Sequence, residues 1–245
     1  MADLTLKNKT ALITGASGAI GEAIANKFSS LGANVILTDK IKKKIDDLEK
    51  KLGPNSLGLI ADLSKDEEIH NLYNESIKKF KSIDILVNNA GINRDALSIR
   101  MTKEQWHEVI NINLSAAFKL SQLVIKSMIK QKWGRILNCS SIGVKFGGGT
   151  NSYNYSLAKH CLEFIPNSYK NWAKRNVFIN NLRIGVTNTK IHKRMKKNLN
   201  INQRLKLIPI NRMAEPKEIS TYILNLSTEN NSYMTGQTIT VSGGE

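Results

Sequence analysis

The sequence predicts one α/β domain built on a doubly wound parallel sheet of about seven strands, with helices on both faces. Short apolar runs alternate with stretches of helical periodicity, and strands separated by helices in this way form a parallel sheet. The 245 residues, of which 41% are hydrophobic, suffice for a large core. Because no linker-like stretch or internal repeat divides the chain, we expect residues 1–245 to form a single Rossmann-type domain.

Seven short apolar runs are the predicted strands, because each is bounded by turn or helix signals. They are TALIT (10–14), NVILT (34–38), LGLIA (57–61), DILVNN (84–89), GRILNCS (134–140), VFINNLR (177–183) and QTITV (237–241). The two cysteines, Cys139 and Cys161, do not have the spacing of a metal site or a CxxC motif. We interpret both as buried small hydrophobic residues and predict no metal site.

The net charge of +16 is compatible with nucleic acid, a membrane surface or an acidic substrate as partner. The lysines are dispersed among many Asn and Ile residues, and no nucleic-acid-binding motif accompanies them, so we predict no nucleic-acid partner. No segment approaches the roughly 18 consecutive apolar residues that a membrane span needs. The N-terminus leads directly into the first strand without a signal-peptide core. We therefore predict a cytoplasmic protein with no membrane partner.

A glycine-rich loop, TGASGAIG (14–21), joins the first predicted strand to the first helix. In a doubly wound sheet this turn lies outside the carboxyl ends of the strands, where a helix N-terminus can bind a pyrophosphate. The alternative interpretation is a tight strand-to-helix connection without a ligand. Asp39 ends the second strand, where its carboxylate can accept both hydroxyls of an adenine ribose. The loop and Asp39 together predict dinucleotide binding.

The segment YSLAK (155–159) places Tyr155 and Lys159 four residues apart, on one face of a predicted helix. Adding a hydride to a carbonyl requires a proton for the developing alkoxide. A tyrosine with an ordinary pKa of about 10 serves poorly unless a nearby cation favours its ionised form. Lys159 is placed to be that cation. Taken alone, the same pattern fits an ordinary amphipathic helix.

These motifs, in this order, resemble the short-chain dehydrogenase/reductase family over essentially the whole chain. They are TGASGAIG, Asp62 after the third strand, NNAG (88–91), Asn113 in INLSAAF, Ser141, and YSLAK. The segments DILVNNAGINRDALSIRM (84–101) and YMTGQTITVSGG (233–244) are most similar to those of 3-oxoacyl-acyl-carrier-protein reductases. The resemblance implies an NAD(P)-dependent oxidoreductase that transfers a hydride between a nicotinamide and a carbonyl or secondary alcohol.

The resemblance also implies the roles of individual residues. Tyr155 exchanges the proton, and Lys159 supports it and holds the nicotinamide ribose. Ser141 hydrogen-bonds the substrate carbonyl, while Asn113 keeps a water beside Lys159 for a proton relay. The implied cofactor contacts are Gly15, Ser17, Gly18, Ala19, Ile20, Gly21, Asp39, Asp62, Leu63, Asn89, Ala90, Gly91, Tyr155, Lys159, Gly185, Thr187 and Thr189.

Four departures from the family pattern change what we expect. Ala19 replaces a glycine, and a slightly altered turn that still binds is expected if its φ is negative. Ile184 replaces a proline before Gly185. The segment from Ser141 to Tyr155 is about one residue longer than in the family, which predicts a reshaped wall of the active site. Pro166 is expected to kink the long helix that carries Lys159, a helix that packs a dimer in this family.

Cofactor choice is predicted from Asp39 and Gly18. A carboxylate repels the 2′-phosphate of NADP(H), and Gly18 stands where NADP-using relatives often carry a basic residue, so NAD(H) is favoured. The resemblance to acyl-carrier-protein reductases implies NADP(H) instead. Lys40, next to Asp39, is the residue best placed to reverse the preference.

The leading substrate is a 3-oxoacyl thioester bound to a carrier, with Lys132 and Arg175 as the docking residues that the resemblance implies. The basic segment KIHKRMKKNLNINQRLK (190–206) occupies the lid region of relatives, and its charge favours an anionic substrate. A sugar or nucleotide-linked sugar in surface-glycan biosynthesis is the alternative. The other interpretation of the basic segment is that it is basic only because the whole chain is, and that its charge therefore says nothing about the substrate. A homodimer or homotetramer is the implied assembly.

Overall fold

The structure, a computed structural model, describes residues 4–189 and 201–245. All seven predicted strands are present, and each end differs from the prediction by at most about one residue, as is usual for element boundaries. They form one parallel sheet in the order β3-β2-β1-β4-β5-β6-β7, which confirms the doubly wound α/β fold. The strands are β1 (Thr10–Thr14), β2 (Asn34–Asp39), β3 (Ser56–Ile60), β4 (Ile85–Asn88), β5 (Gly134–Ser141), β6 (Val177–Ile184) and β7 (Thr238–Val241).

Helices connect the strands and cover both faces of the sheet. They are α1 (Ala19–Ser30), α2 (Lys42–Leu52), α3 (Asp66–Phe80), α4 (Lys103–Ile110), α5 (Ala116–Gln131), α6 (Tyr153–Leu162), α7 (Asn167–Lys170), α8 (Ile201–Leu205) and α9 (Pro216–Ser227). In the described ranges the connections also include one π turn, Asn111–Ser115, and three 3₁₀ turns, Ser98–Arg100, Ile142–Phe146 and Asn171–Arg175. Within the described ranges, no helix is both long and apolar enough to span a membrane.

Two cores lie on the two faces of the sheet, because successive strand residues point to opposite sides. On β1, Ile13 packs toward α1 and α9, with Phe28 as a large buried partner. The preceding residue, Leu12, packs toward α3 and α5 through residues such as Leu120. All six strand pairs are parallel, so the carboxyl ends of the strands meet at one edge. The loops at that edge build the site described below.

Pro166 lies between two helices and not inside one. The prediction that it kinks the helix carrying Lys159 is therefore wrong. The helix that carries Lys159, α6, already ends at Leu162, and Pro166 lies just before the short helix α7. Proline disfavours helical backbone at the residue before it, here Ile165, and offers no N–H to an existing helix. The chain therefore leaves α6 one turn after Lys159.

The cysteine interpretation is half correct. Cys139 lies on β5 and is buried, as predicted, whereas Cys161 is exposed. Cys161 falls on the outer side of α6, which a single sequence does not reveal when the helix is only ten residues long. In the described part of the chain, no group of three or more potential ligands is arranged to hold a metal ion.

Candidate active site

The glycine-rich loop connects β1 to α1 and needs glycine where its backbone meets the segment that follows β4. Gly15 has φ of +63°, and a Cβ placed on it would lie 2.9 Å from Cα of Ala90. Gly18 is the N-cap of α1, with an extended backbone, and Ala19 is the first residue of the helix. Ala19 does not have a positive φ, so its backbone accommodates a methyl group where the family has glycine.

A cavity of about 760 Å³ opens at the carboxyl edge of the sheet, within the size range of ligand sites. Its walls include Ser141 and fifteen of the predicted cofactor contacts: Gly15, Ser17, Gly18, Ala19, Ile20, Gly21, Asp39, Asn89, Ala90, Gly91, Tyr155, Lys159, Gly185, Thr187 and Thr189. Three predicted site residues, Asp62, Leu63 and Asn113, do not line it. One continuous space thus joins the glycine loop to the tyrosine and lysine.

Asp39 is held at the wall of this cavity by hydrogen bonds from the glycine loop. Its Oδ2 accepts from Ser17 Oγ at 2.7 Å, and its Oδ1 accepts from the backbone N–H of Lys40 at 2.7 Å. The side chain of Lys40 turns to Asp62, at 3.0 Å. Burial alone would raise the pKa of Asp62, but hydrogen bonds from Ser64 and the Lys40 ammonium lower it to about 2. The charge of Lys40 is therefore already neutralised by Asp62.

Ser141 and Tyr155 lie next to each other, at the end of β5 and in the first turn of α6. Ser141 Oγ accepts the backbone N–H of Gly143 at 3.2 Å, which fixes the hydroxyl at the start of a 3₁₀ turn. Burial raises the pKa of Tyr155, and its hydrogen bond with Ser141 acts in the opposite direction. The direction differs from the sequence-based expectation of a pKa lowered by Lys159, because the loss of hydration is the largest effect on this hydroxyl.

Lys159 is only 3% exposed, although it is charged. Its ammonium donates to the carbonyl of Cys139 at 2.7 Å and lies 6.0 Å from the centre of the Tyr155 ring. Burial lowers its pKa to about 8. A Cβ on Gly91 would lie 3.2 Å from Nζ of Lys159, so the last glycine of NNAG leaves room for the ammonium.

Asn113 lies in the π turn between α4 and α5, a rare conformation that is frequent at functional sites. Its Oδ1 accepts the backbone N–H of Ile92 at 2.8 Å, and its Nδ2 donates to the carbonyl of Ile92 at 2.9 Å. The amide thereby holds the segment that follows NNAG. The relay water that the family resemblance implies beside Asn113 stays a prediction.

A row of buried asparagines supports the site, and sequence reasoning missed it. Asn88 on β4 donates to Asn138 on β5 at 2.9 Å, and Asn138 donates to Asn181 on β6 at 3.0 Å. Asn181 in turn donates to the carbonyl of Glu163 and to Thr238 Oγ1. The signal was visible as asparagine inside the apolar runs that were predicted as strands.

The comparisons with known proteins cover nearly the whole chain. A family profile described as Enoyl-(Acyl carrier protein) reductase matches residues 15–245. The chain is 38% identical to 3-oxoacyl-acyl-carrier-protein reductase FabG of Aquifex aeolicus (strain VF5) over 99% of both chains. It is 39% identical to the protein of the same name from Rickettsia conorii, over 100% of this chain and 98% of the relative. The chain belongs to the short-chain dehydrogenase/reductase family.

Membership of the short-chain dehydrogenase/reductase family makes the chain an oxidoreductase that uses a nicotinamide cofactor on a carbonyl or CH–OH group. The residues present fit such a cofactor. The N-terminus of α1 and the glycine loop face the cavity at one end, and Tyr155 and Lys159 face it at the other. The resemblance inferred from the motifs is confirmed.

Proposed function

We propose that this short-chain dehydrogenase/reductase reduces a 3-oxoacyl thioester, borne on an acidic carrier protein, to the 3-hydroxyacyl thioester in the cytoplasm. The main support is that Ser141, Tyr155 and Lys159 line the same cavity, with the Lys159 ammonium 6.0 Å from the centre of the Tyr155 ring. Two hydroxyl donors in one cavity suit a carbonyl oxygen. The names of the full-length relatives from Aquifex aeolicus and Rickettsia conorii suggest which carbonyl it is.

In this mechanism the two hydroxyls hold the ketone oxygen, and the tyrosine proton moves to it as the alkoxide forms. The Lys159 ammonium then stabilises the tyrosinate in a poorly hydrated site, where a charge pair interacts strongly. The hydride for the ketone carbon would come from NAD(P)H when that cofactor is bound. The glycine loop would hold its pyrophosphate, Asp39 its adenine ribose, and Thr187 and Thr189 its carboxamide end.

A thioester panel tests the proposal. Purified protein is mixed with NADH or NADPH and with acetoacetyl, crotonyl or nucleotide-sugar substrates, and loss of the reduced cofactor is followed. The description of the matching family profile favours enoyl reduction as a second candidate, which predicts turnover of the crotonyl thioester. Turnover of a sugar substrate alone would instead support the glycan alternative.

Cofactor preference is the next prediction. We expect a higher kcat/KM with NAD(H) than with NADP(H), because Asp39 faces the cavity and Lys40 is paired with Asp62. Asp39→Ala should lower the ratio of kcat/KM with NAD(H) to kcat/KM with NADP(H) by roughly tenfold to a hundredfold, since a hydrogen bond to a charged group contributes about 1.5–3 kcal/mol. Lys40→Ala is the matched control and should change the ratio little. A wild-type preference for NADPH would contradict the prediction.

The docking residues lie far from the cavity of their own chain. Lys132 precedes β5 and Arg175 precedes β6. Both exposed side chains therefore lie at the amino ends of these strands, whereas Ser141 lies at the carboxyl end of β5. The eight residues of β5 span roughly 25 Å at about 3.3 Å each. A carrier docked there would reach the active site of the same chain only through a long flexible arm. Alternatively, it would deliver its acyl group to the active site of another copy, in the homodimer or homotetramer that we propose. Most of the basic segment 190–206 lies outside the described residues.

Carrier docking has a salt-dependent signature. We expect kcat/KM for acetoacetyl carrier protein to fall with salt and with the Lys132→Glu/Arg175→Glu change, because steering by surface charge is screened. A neutral acetoacetyl thioester of a small thiol should show neither effect. Lys43→Glu/Lys50→Glu, two exposed lysines of α2, makes the same charge change elsewhere. Equal losses in both double variants would contradict docking at Lys132 and Arg175.

A further inference from the structure

Glu163 is the first residue after α6, and its carboxylate joins three elements of the fold. Its Oε1 accepts Ser140 Oγ of β5 at 2.6 Å and Nε of Arg183 on β6 at 2.9 Å. Its Oε2 accepts the second nitrogen of the Arg183 guanidinium at 2.5 Å. Glu163 and Arg183 therefore form a bidentate ion pair, which fixes the relative orientation of the two side chains as well as their distance.

This ion pair is largely buried. The side chain of Glu163 is 8% exposed and that of Arg183 is 23% exposed. A buried ion pair gains little stability over apolar residues of similar volume, because both charges lose hydration. Its remaining contribution is geometric, since the two charges are satisfied in only one arrangement of α6 against β5 and β6.

The arrangement that Glu163 fixes is the one on which the active site depends. Ser140 directly precedes Ser141, and Lys159 lies one turn before Glu163 on the same helix. Ser140 Oγ also lies 3.2 Å from the carbonyl of Lys159. The carbonyl of Glu163 accepts from Asn181, the last member of the asparagine row. Both sides of the catalytic cluster are thus attached to one carboxylate.

The early end of α6 gives these contacts their importance. Beyond Leu162 no further helical turn supports Lys159, because Pro166 redirects the chain. We propose that Glu163, Arg183 and Ser140 form a positioning clamp, which sets the distance of Ser141 from Tyr155 and Lys159. This inference rests on the catalytic roles proposed above. The three clamp residues act only by positioning the catalytic residues and do not contact the substrate.

The test compares variants that dismantle the clamp in different ways. Glu163→Leu/Arg183→Leu removes both charges together, so no lone charge stays buried, and Ser140→Ala removes a single hydroxyl. We expect kcat to fall roughly tenfold or more in each, since a small misplacement of reacting groups costs up to about 10²-fold. The dissociation constant of the dinucleotide should change much less than kcat, because most of its proposed contacts, those of the glycine loop and Asp39, are untouched.

Two further measurements separate positioning from loss of stability. Ile83 is buried just before the amino end of β4, away from the site, so Ile83→Val should lower Tm without lowering kcat. The pH profile of kcat should shift in the clamp variants and stay fixed in Ile83→Val, because only the clamp alters the surroundings of Tyr155 and Lys159. Adding Ser140→Ala to the double variant should cost little more, as residues of one unit are not additive.

The outcomes separate the clamp from the reaction itself. Wild-type kcat and pH profile in the double variant and in Ser140→Ala, while Tyr155→Phe is inactive, would overturn the clamp and leave the proposed chemistry standing. If Tyr155→Phe retains turnover of every ketone that the wild type reduces, the catalytic roles fail first. If the double variant does not fold, Ser140→Ala alone decides, because losing one hydroxyl leaves the ion pair in place.

Discussion

Tyr155→Phe is expected to lower kcat by roughly 10² to 10⁴-fold, the usual contribution of a general acid or base. The change removes a single hydroxyl from a residue that lines the cavity together with Ser141. The phenyl ring can keep its packing, so the free energy of unfolding should change by only about 1 kcal/mol. Dinucleotide binding, measured by calorimetry, should be nearly unchanged because the glycine loop is intact.

The same helix provides a matched control for that variant. Tyr153 lies two residues earlier, is 51% exposed and packs against Trp106 with ring centres 6.0 Å apart. Tyr153→Phe also removes one phenolic hydroxyl, yet we expect it to retain kcat within about threefold, as surface changes away from the reacting groups do little. Comparable losses in both variants would mean that Tyr155 is not the proton donor.

The fold could be predicted because its signals are local and repeated. Each strand is a short apolar run, and parallel pairing follows from the helices between the strands. Parallel pairing brings the carboxyl ends of the strands together, so the location of the site at those ends could be predicted as well. Pro166 was harder to interpret. Proline in a helical pattern predicts either a kink or a break, and the choice depends on whether tertiary contacts hold the next turn. Here the clamp at Glu163 holds the end of α6 instead.

The candidate site was predictable where residues follow a motif and not where they meet only in space. Tyr155 and Lys159 share one helix, so their spacing placed them together. Glu163, Arg183 and Ser140 come from three elements, and no local spacing relates them. The pKa of Tyr155 was also out of reach, because its direction depends on burial, which a sequence of one helix turn does not determine.

Burial of Lys159 leads to the second large effect. Lys159→Met should abolish measurable turnover, because no cation then stabilises the tyrosinate, and yet it should make the protein more stable. The pKa of Lys159 is about 8 in the folded chain and 10.5 when unperturbed, so keeping the lysine charged at neutral pH costs about 3 kcal/mol. Methionine has a similar length and no charge, but it loses the hydrogen bond to Cys139, worth about 1 kcal/mol.

The expected result is therefore a gain of about 2 kcal/mol in the free energy of unfolding at neutral pH, read from denaturant titrations. The gain should depend on pH in a fixed direction. Because the folded pKa lies below the unfolded one, the unfolded chain binds more protons between pH 8 and 10.5, and wild-type stability rises there relative to Lys159→Met. Lys43→Met, on an exposed face of α2, should show no such dependence. A difference between wild type and Lys159→Met that stays constant across this window would show that Lys159 does not carry a buried charge.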